Sequence, residues 1–517
     1  MRVVLLRPPR YLWPFNSETS AFWQPLGLVC LAAAARRDLP HIDMEVWDAP
    51  GEHCGWRTLE QRLAAGPIDV LGLGEEAVSA HEALRAAALV KRLHPGCKVV
   101  VGGVYFSHAV SESLQDSAVD VVIRGEGECT FVEWLRHIDT PADWARIAGL
   151  AFRDAAGQII TTPSRDLIGD LDSLPFPAYD LLNMQSYGRG SRNHPHLTSI
   201  EHSRGCTDSC SFCILWRQMG QPVNGNGVVR PCYRTKSAAR SFEEVQRLFR
   251  DHGRRTFGWV DPTFNVSPEW SDQWADLMLA SDLVDAGGRP RTLHTAWVRA
   301  DYIVRDHRLG ILDKLVRAGL RQVMIGVERD DPAGLEFLGK HHNGPDLTAE
   351  AFAILRRHYP QVYTIGSMIF GLPGDTLADL RRLSRYQFRL GMNYCFMIPL
   401  TPNPGTSFTR GGASPAEVRR GALIRFDFHS AILPTQTLNA SALEGIYWRM
   451  TLDPSWPRLR QWCRQLLFER DARKRRLDGA LLRHGLKVVA RGAFRALRRR
   501  DRNELSSYSR RPTWYDQ

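Results

Sequence analysis

Through the first 150 residues, short unbroken apolar runs alternate with longer stretches of helical period. RVVLL, MEVWD, DVLGLG, KVVVGG and VDVVIRG are rich in Val and Leu, whereas PLGLVCLAAAARR and SAHEALRAAALVKRLHP repeat their apolar positions every three or four residues. Strands covered on both faces are continuously apolar. The pattern therefore predicts an α/β, Rossmann-like domain over 1–150, a parallel sheet with helices on both faces. Ligands of such sheets lie across the carboxyl ends of the strands. That makes candidates of the loops RPPRYLWPFN, GEEAVSAH, GGVYFSH and GEGE.

Residues 151–195 carry a hairpin pattern and a Pro-rich passage and are predicted to be a linker. A second alternation begins at Thr198. TSIEHSRG, RTFGWVD, LHTAWVRA, QVMIGVE, YTIGSMIFGLPG and YCFMIPLTP are separated by helical stretches, which predicts a partial (β/α)6 TIM-like barrel over 196–412. From 413 to 517 the pattern turns mostly helical. There Leu477, Leu481, Leu482, Leu486, Val489, Phe494 and Leu497 mark an amphipathic helix or helix pair.

Composition refines this picture. A chain of 517 residues is too long for one core. Its longest apolar run, LGLVCLAAAA, is far short of the roughly 20 residues a membrane span needs. MRVVLLRPPR reads as a strand and not as a secretory signal, so a cytoplasmic location is expected. The formal charge of +11 is concentrated at one end, where 469–517 carry 15 Lys and Arg against 6 Asp and Glu. A basic helical region packed on the body is the plainer expectation, and peripheral contact of that helix with a membrane is the other. The rest is nearly balanced, which argues against nucleic acid. Ten cysteines, three of them bunched, fit a metal site in a reducing compartment better than a disulfide framework.

The bunched cysteines are Cys206, Cys210 and Cys213, in HSRGCTDSCSFCILW. A structural zinc would want a fourth ligand, for which Cys232 and His202 are conceivable. A ferredoxin cluster would also use four thiolates, at other spacings. Three thiolates on a cubane leave one iron without a protein ligand, open to a substrate's amino and carboxylate groups.

At these residues the sequence resembles the radical S-adenosylmethionine (SAM) superfamily, whose signature is Cys-x3-Cys-x2-Cys with an aromatic, here Phe212, before the last cysteine. The resemblance implies a 4Fe-4S cluster that cleaves S-adenosyl-L-methionine to a 5'-deoxyadenosyl radical. It extends along successive predicted strand ends. Asp261 and Phe264 in FGWVDPTFNV match an acidic residue and an aromatic near the methionine moiety, and Arg299 in TAWVRADYI suits a carboxylate. Gly326 and Glu328 in IGVERDD resemble the family's Gly-x-Glu, and Gly371 and Pro373 in GLPGDT resemble its adenine-facing turn. TPNPGT resembles the end of its sixth strand. The chain departs from the family at ERDD, where Glu-Ser-Gly is usual, which leaves the contacts of Arg329 and Asp330 open.

No G-x-G-x-x-G follows the first strand and no Walker lysine is present. The first domain instead resembles the cobalamin-binding domain that precedes many such enzymes. The matching positions are Pro25 and Gly27, Gly102, Gly103 and Val104, and Gly125, Glu126 and Gly127. The Asp-x-His-x-x-Gly string that supplies an axial histidine elsewhere is missing. His53 stands at the wrong spacing, so cobalt is expected without this ligand.

The resemblance points to the subgroup of the anaerobic magnesium-protoporphyrin IX monomethyl ester cyclase and related methylases. It implies hydrogen abstraction from an unactivated carbon, then methyl transfer from methylcobalamin, with oxidative ring closure as the alternative. A tRNA methylthiotransferase-like enzyme would need a second cysteine trio, among Cys30, Cys54, Cys97 and Cys129, and a C-terminal β-barrel. The implied partners are a small-molecule substrate and an external electron donor of the flavodoxin or ferredoxin type. The substrate is hydrophobic or planar if Tyr105, Phe106, Trp216, Trp259, Trp297, Tyr394 and Phe396 wall it; each ring is more simply read as core.

Overall fold

A computed structural model describes residues 1–10, 23–74, 79–188, 191, 193–223, 228–410, 431–452, 456–483, 486 and 515–517. Two parallel sheets dominate it. In the first, β1 (Arg2–Arg7), β2 (Asp43–Asp48), β3 (Val70–Gly74), β4 (Lys98–Gly102) and β5 (Val121–Ile123) lie in the order β2-β1-β3-β4-β5. Val4 and Leu6 face one core and Val3 and Leu5 the other, so both faces are covered, as the unbroken apolar runs require. The order reverses between β1 and β3, and a crevice opens at such a reversal. The loops flanking it fall partly outside the described residues, at 11–22 and 75–78.

The hairpin inside the stretch predicted as a linker, β6 (Leu150–Arg153) and β7 (Ile159–Thr161), joins the first sheet antiparallel to β5. The edge of β5 would otherwise expose unpaired backbone.

The second sheet runs β17-β16-β15-β14-β13-β8. Its strands are β8 (Leu197–Ile200), β13 (Thr256–Trp259), β14 (Leu293–Val298), β15 (Leu320–Glu328), β16 (Tyr363–Phe370) and β17 (Tyr394–Pro399), all parallel. Each neighbour is the next in sequence, and β8 and β17 do not pair. This is a partial (β/α)6 barrel. Between β8 and β13 lie the short β9 (Ser203–Gly205), β10 (Gln221–Val223), β11 (Val228–Arg230) and β12 (Tyr233–Thr235), with β9 antiparallel to β12.

The open edge at β8 is closed by the first domain. The side-chain amide of Gln24 donates to Leu197 O (2.7 Å) and accepts from Ser199 N (2.7 Å), standing in for a neighbouring strand. Beside it the Trp23 ring lies on Gly258, where a Cβ would sit 2.1 Å from the indole. Only glycine admits that contact.

Helices Ala440–Leu452 and Trp456–Cys463 and the π turn Arg464–Phe468 follow. Gln461 donates to Met392 O (2.8 Å), Gln465 to Asn393 O (2.8 Å) and Arg473 to Arg321 O (3.0 Å), so this region packs at the amino ends of the barrel strands. Most of the predicted amphipathic helix beyond Leu477 lies outside the described residues. The last residues return to the first domain, where Trp56 N donates to Tyr515 O (3.1 Å). No described helix is long and apolar enough to cross a membrane.

Candidate active site

The cysteine loop leaves β9 through Gly205, whose φ is +89°, and a Cβ there would lie 1.8 Å from Cys232 O. The chain can therefore turn at once into Cys206. Cys206, Cys210 and Cys213 are half-buried and free of disulfides. Burial pushes the Cys210 thiol up to about 12 and the Cys213 thiol to about 11, with nearby Lys340 pulling the other way. Unassisted thiols of this kind stay protonated, and a bound metal takes the place of the proton. Protein hydrogen bonds, one internal and two to the 337–338 segment, hold the loop. Ser211 N donates to Leu338 O (2.9 Å), Ser211 Oγ to Phe337 O (3.1 Å) and Trp216 Nε1 to Cys210 O (3.0 Å).

Among the described residues, no three His, Cys, Asp or Glu side chains converge on one point as a single ion needs. A structural zinc at the trio would need a fourth ligand. His202 is committed elsewhere. Its ring stacks on Trp270 at 3.7 Å and meets Phe264 O at 3.0 Å, and burial pushes its pKa down to about 3.

The strand-end motifs gather around this loop. Asp261 Oδ1 accepts from His202 N (3.0 Å), Ser203 N (2.6 Å) and Ser203 Oγ (2.6 Å), which anchors the start of β9. Its Oδ2 is buried without a protein hydrogen-bond partner, and burial raises the pKa to about 7. An ammonium donor would satisfy that atom. Phe212 packs with Leu338, Ile369, Leu372 and Leu400, joining the cysteine loop to the GLPGDT turn.

Glu328 sits past a bulge in β15 with φ +63°, a strained conformation of the kind that gathers at binding sites. It accepts from Lys340 Nζ (2.8 Å) and Ser367 Oγ (3.1 Å), and Lys340 also donates to Gly326 O (2.7 Å). Sequence reasoning missed Lys340. Its only signal was a lysine following glycine twelve residues after Glu328.

The ERDD departure resolves into a clamp. Arg329 reaches both oxygens of Asp375 (2.8 and 3.0 Å), and Asp375 in turn accepts from Gly371 N (2.8 Å) and Leu372 N (3.0 Å). Asp330 pairs with Arg382 at 2.9 Å. Pro373 is exposed on the rim of the turn.

Two residues sit differently from expectation. Arg299 spends its guanidinium on Asp301 (3.0 and 2.6 Å) and on Asp208 of the cysteine loop, so the carboxylates it meets belong to the protein. Phe264 is buried against His202, Trp259, Trp270 and Trp274, because the aromatic cluster between β13 and the helix Pro268–Leu279 offers it a large apolar contact. Tyr105, Phe106, Trp216 and Trp259 are likewise buried, whereas Trp297 is exposed.

The first domain meets this site along its strand ends. Gln218 Nε2, just after the cysteines, donates to Gly125 O (3.1 Å) and Ser107 Oγ (3.2 Å). At Gly405 of TPNPGT the space for a Cβ is taken by His108 and Ile214, at 2.6 and 2.7 Å. Pro25 caps the helix Leu26–Asp38. Gly27 and Gly125 have no described atom within 4 Å of where a Cβ would sit, while Gly102 lies against Ile123 O and Gly127 against Leu31. Gly103 is exposed and Val104 half-buried beside it. Glu126 differs, since its carboxylate accepts from Arg204 and Arg234. His53 is half-buried just after β2.

Comparison with known families decides the matter. Residues 200–386 match the radical SAM superfamily and residues 14–135 the B12 binding domain. The chain carries a radical SAM domain and, before it, a B12-binding domain. The chain is 25% identical over 407 residues to an uncharacterized methyltransferase of Pyrococcus horikoshii, covering 78% of this chain and 82% of that one. It is 24% identical over 395 residues to the anaerobic magnesium-protoporphyrin IX monomethyl ester cyclase of Cereibacter sphaeroides, covering 74% of this chain and 59% of the cyclase. Among solved structures, TsrM of Kitasatospora setae, a radical SAM methyltransferase, aligns with a TM-score of 0.60 at 19% identity, over 79% of this chain and 75% of that one. The cobalamin-dependent enzyme OxsB aligns at 0.61 and 15%, over 98% and 70%. A radical SAM domain implies a 4Fe-4S cluster and S-adenosyl-L-methionine, a B12-binding domain implies cobalamin, and radical SAM enzymes use a small-molecule substrate and an external reductant.

Proposed function

We propose that this protein is a cobalamin-dependent radical SAM methylase that modifies an unactivated carbon of a small molecule. The observation that carries the reading is the meeting of both cofactor regions: Gln218, five residues after Cys213, bonds the Gly125 loop of the B12-binding domain. When bound, the cluster and SAM supply a hydrogen-abstracting radical, and the corrin supplies a methyl group.

The chain's own residues bind and orient. Cys206, Cys210 and Cys213 hold three irons. The free Oδ2 of Asp261 receives the ammonium of SAM, and Glu328, held by Lys340, receives a ribose or amino donor. The turn from Gly371 to Pro373, clamped by Arg329, faces the adenine, and Phe212 packs behind it. Arg299 braces the cysteine loop through Asp208. On the other side Pro25, Gly27, Gly102, Gly103, Val104, Gly125 and Gly127 line the corrin, with Glu126 acting through its backbone. Divisions at 195 and 412 belong to the same reading, while the boundary expected at 150 moves past the hairpin Leu150–Thr161, which pairs with β5 of the first sheet.

Ring closure is the second reading, favoured by the 24% identity to the Cereibacter cyclase. A methylthiotransferase is disfavoured because Cys54 and Cys97 lie in the core on one face of the first sheet and Cys30 packs on the other. The reading also includes a flavodoxin- or ferredoxin-type donor, a cytoplasmic setting and peripheral membrane contact by the basic C-terminal region. Leu467 and Phe468 are 71% and 76% exposed there, beside exposed Arg464 and Arg470.

The test is anaerobic reconstitution with cobalamin, SAM and reductant, followed by mass spectrometry. 5'-Deoxyadenosine together with S-adenosylhomocysteine supports methylation. Deoxyadenosine alone supports cyclisation, and neither product sinks both readings.

A further inference from the structure

The junction between the two sheets is charged, although it is buried. Arg204 lies two residues before Cys206, and each of its guanidinium nitrogens meets a carboxylate. Nε reaches Glu201 (3.0 Å), Nη1 reaches Glu126 (3.0 Å), and Nη2 reaches Glu128 (2.7 Å) and Glu201 (2.8 Å). Glu201 follows β8 of the barrel; Glu126 and Glu128 belong to the loop and helix start after β5 of the B12-binding domain. On the same carboxylate of Glu126, Arg234 of β12 donates at 2.9 Å and the amide of Ile168 at 2.8 Å. The side chains of Arg204, Glu126 and Glu128 are only 7–8% exposed.

Desolvating so many charges costs about as much as their attraction returns, so the network is a poor source of stability. It is a good source of geometry. A guanidinium fixes the direction of each partner as well as its distance, which a lysine cannot do. The three carboxylates arrive from both sides of the junction, and one side chain holds them all, next to the first cysteine.

We propose that Arg204 is a positioning residue that sets the separation and tilt of the Gly125–Gly127 loop relative to the cysteine loop, and through them of the corrin relative to the cluster. The inference rests on the function proposed above for its consequence. Its structural half, the placement of one loop by the other, stands without any cofactor.

Two variants test it, Arg204→Lys and Glu128→Gln, with Glu243→Gln on the exposed pair with Arg247 as a control. In the full-length protein without cofactors, hydrogen exchange is followed at amides 124–128 and 203–206. Acceleration of about tenfold or more in both variants, with β3 and β15 unchanged, is the expected result. Unchanged exchange overturns the placement. In protein loaded with cob(II)alamin and a reduced cluster, pulsed electron paramagnetic resonance reports the distance between the two spins. A narrow distribution in the wild type that broadens or shifts in the variants supports the proposal, and an identical distribution overturns it. Should Arg204→Lys fail to fold, Glu128→Gln decides, since it removes the charge from one of the three acceptors. Wild-type protein that takes up neither cobalamin nor iron overturns the functional reading alone, and the exchange measurement still decides the placement.

Discussion

At Asp261 a carboxylate has one oxygen fully engaged and one buried without a protein partner. Burial raises its pKa to about 7 from an ordinary 3.8, so the folded state holds a proton that the unfolded chain has already lost. The sign follows from linkage: stability from this group is present below about pH 4 and is lost as pH rises through 7. Asp261→Asn therefore flattens the fall in stability between about pH 4 and 7, measured by urea unfolding at each pH. An equal slope in the variant contradicts the assignment. Arg329→Leu leaves Asp375 buried and unpaired, and we expect a loss of about 3–5 kcal/mol in the same assay. Arg329→Lys keeps the charge but not the two-point grip, and is expected to raise the KM for SAM with little change in kcat. The Arg329–Asp375 pair was not legible locally. Arg329 and Asp375 are 46 residues apart, and the motif that includes Arg329 only showed that the family pattern was broken.

The cysteine loop is an element built to exist before its metal. Bonds that Ser211 and Trp216 donate to the Leu338, Phe337 and Cys210 carbonyls hold it, so stripping iron with a chelator should leave the far-ultraviolet circular dichroism unchanged. Loss of helical signal would show that the metal organises the fold itself. Gly205→Ala is the opposite case. A Cβ at +89° of φ, 1.8 Å from Cys232 O, forces the loop off its path, and iron bound per chain should fall to background while the protein stays folded. At the π turn, Leu467→Glu with Phe468→Glu should abolish sedimentation with anionic vesicles if that face meets a membrane; unaltered sedimentation removes the idea. The loop was legible because its cysteines are close in sequence. Its braces were not, since they come from Phe337 and Leu338, more than a hundred residues on.

Across the molecule, the two sheets were readable from apolar runs and helical period, because both signals are local and survive without knowledge of partners. The order of the motifs along the barrel was readable too, since successive parallel strands lie side by side. Tertiary structure decided the rest. It sent Phe264 into the core, gave Arg299 protein carboxylates, drew Glu126 into pairs with Arg204 and Arg234, and took the hairpin of 150–161 into the first sheet. Spacing and periodicity record what a residue does with near neighbours, so they specify elements and ligand sets. Which buried charge meets which, and which ring fills which space, depends on atoms brought together from distant parts of the chain, where desolvation makes each pairing nearly compulsory.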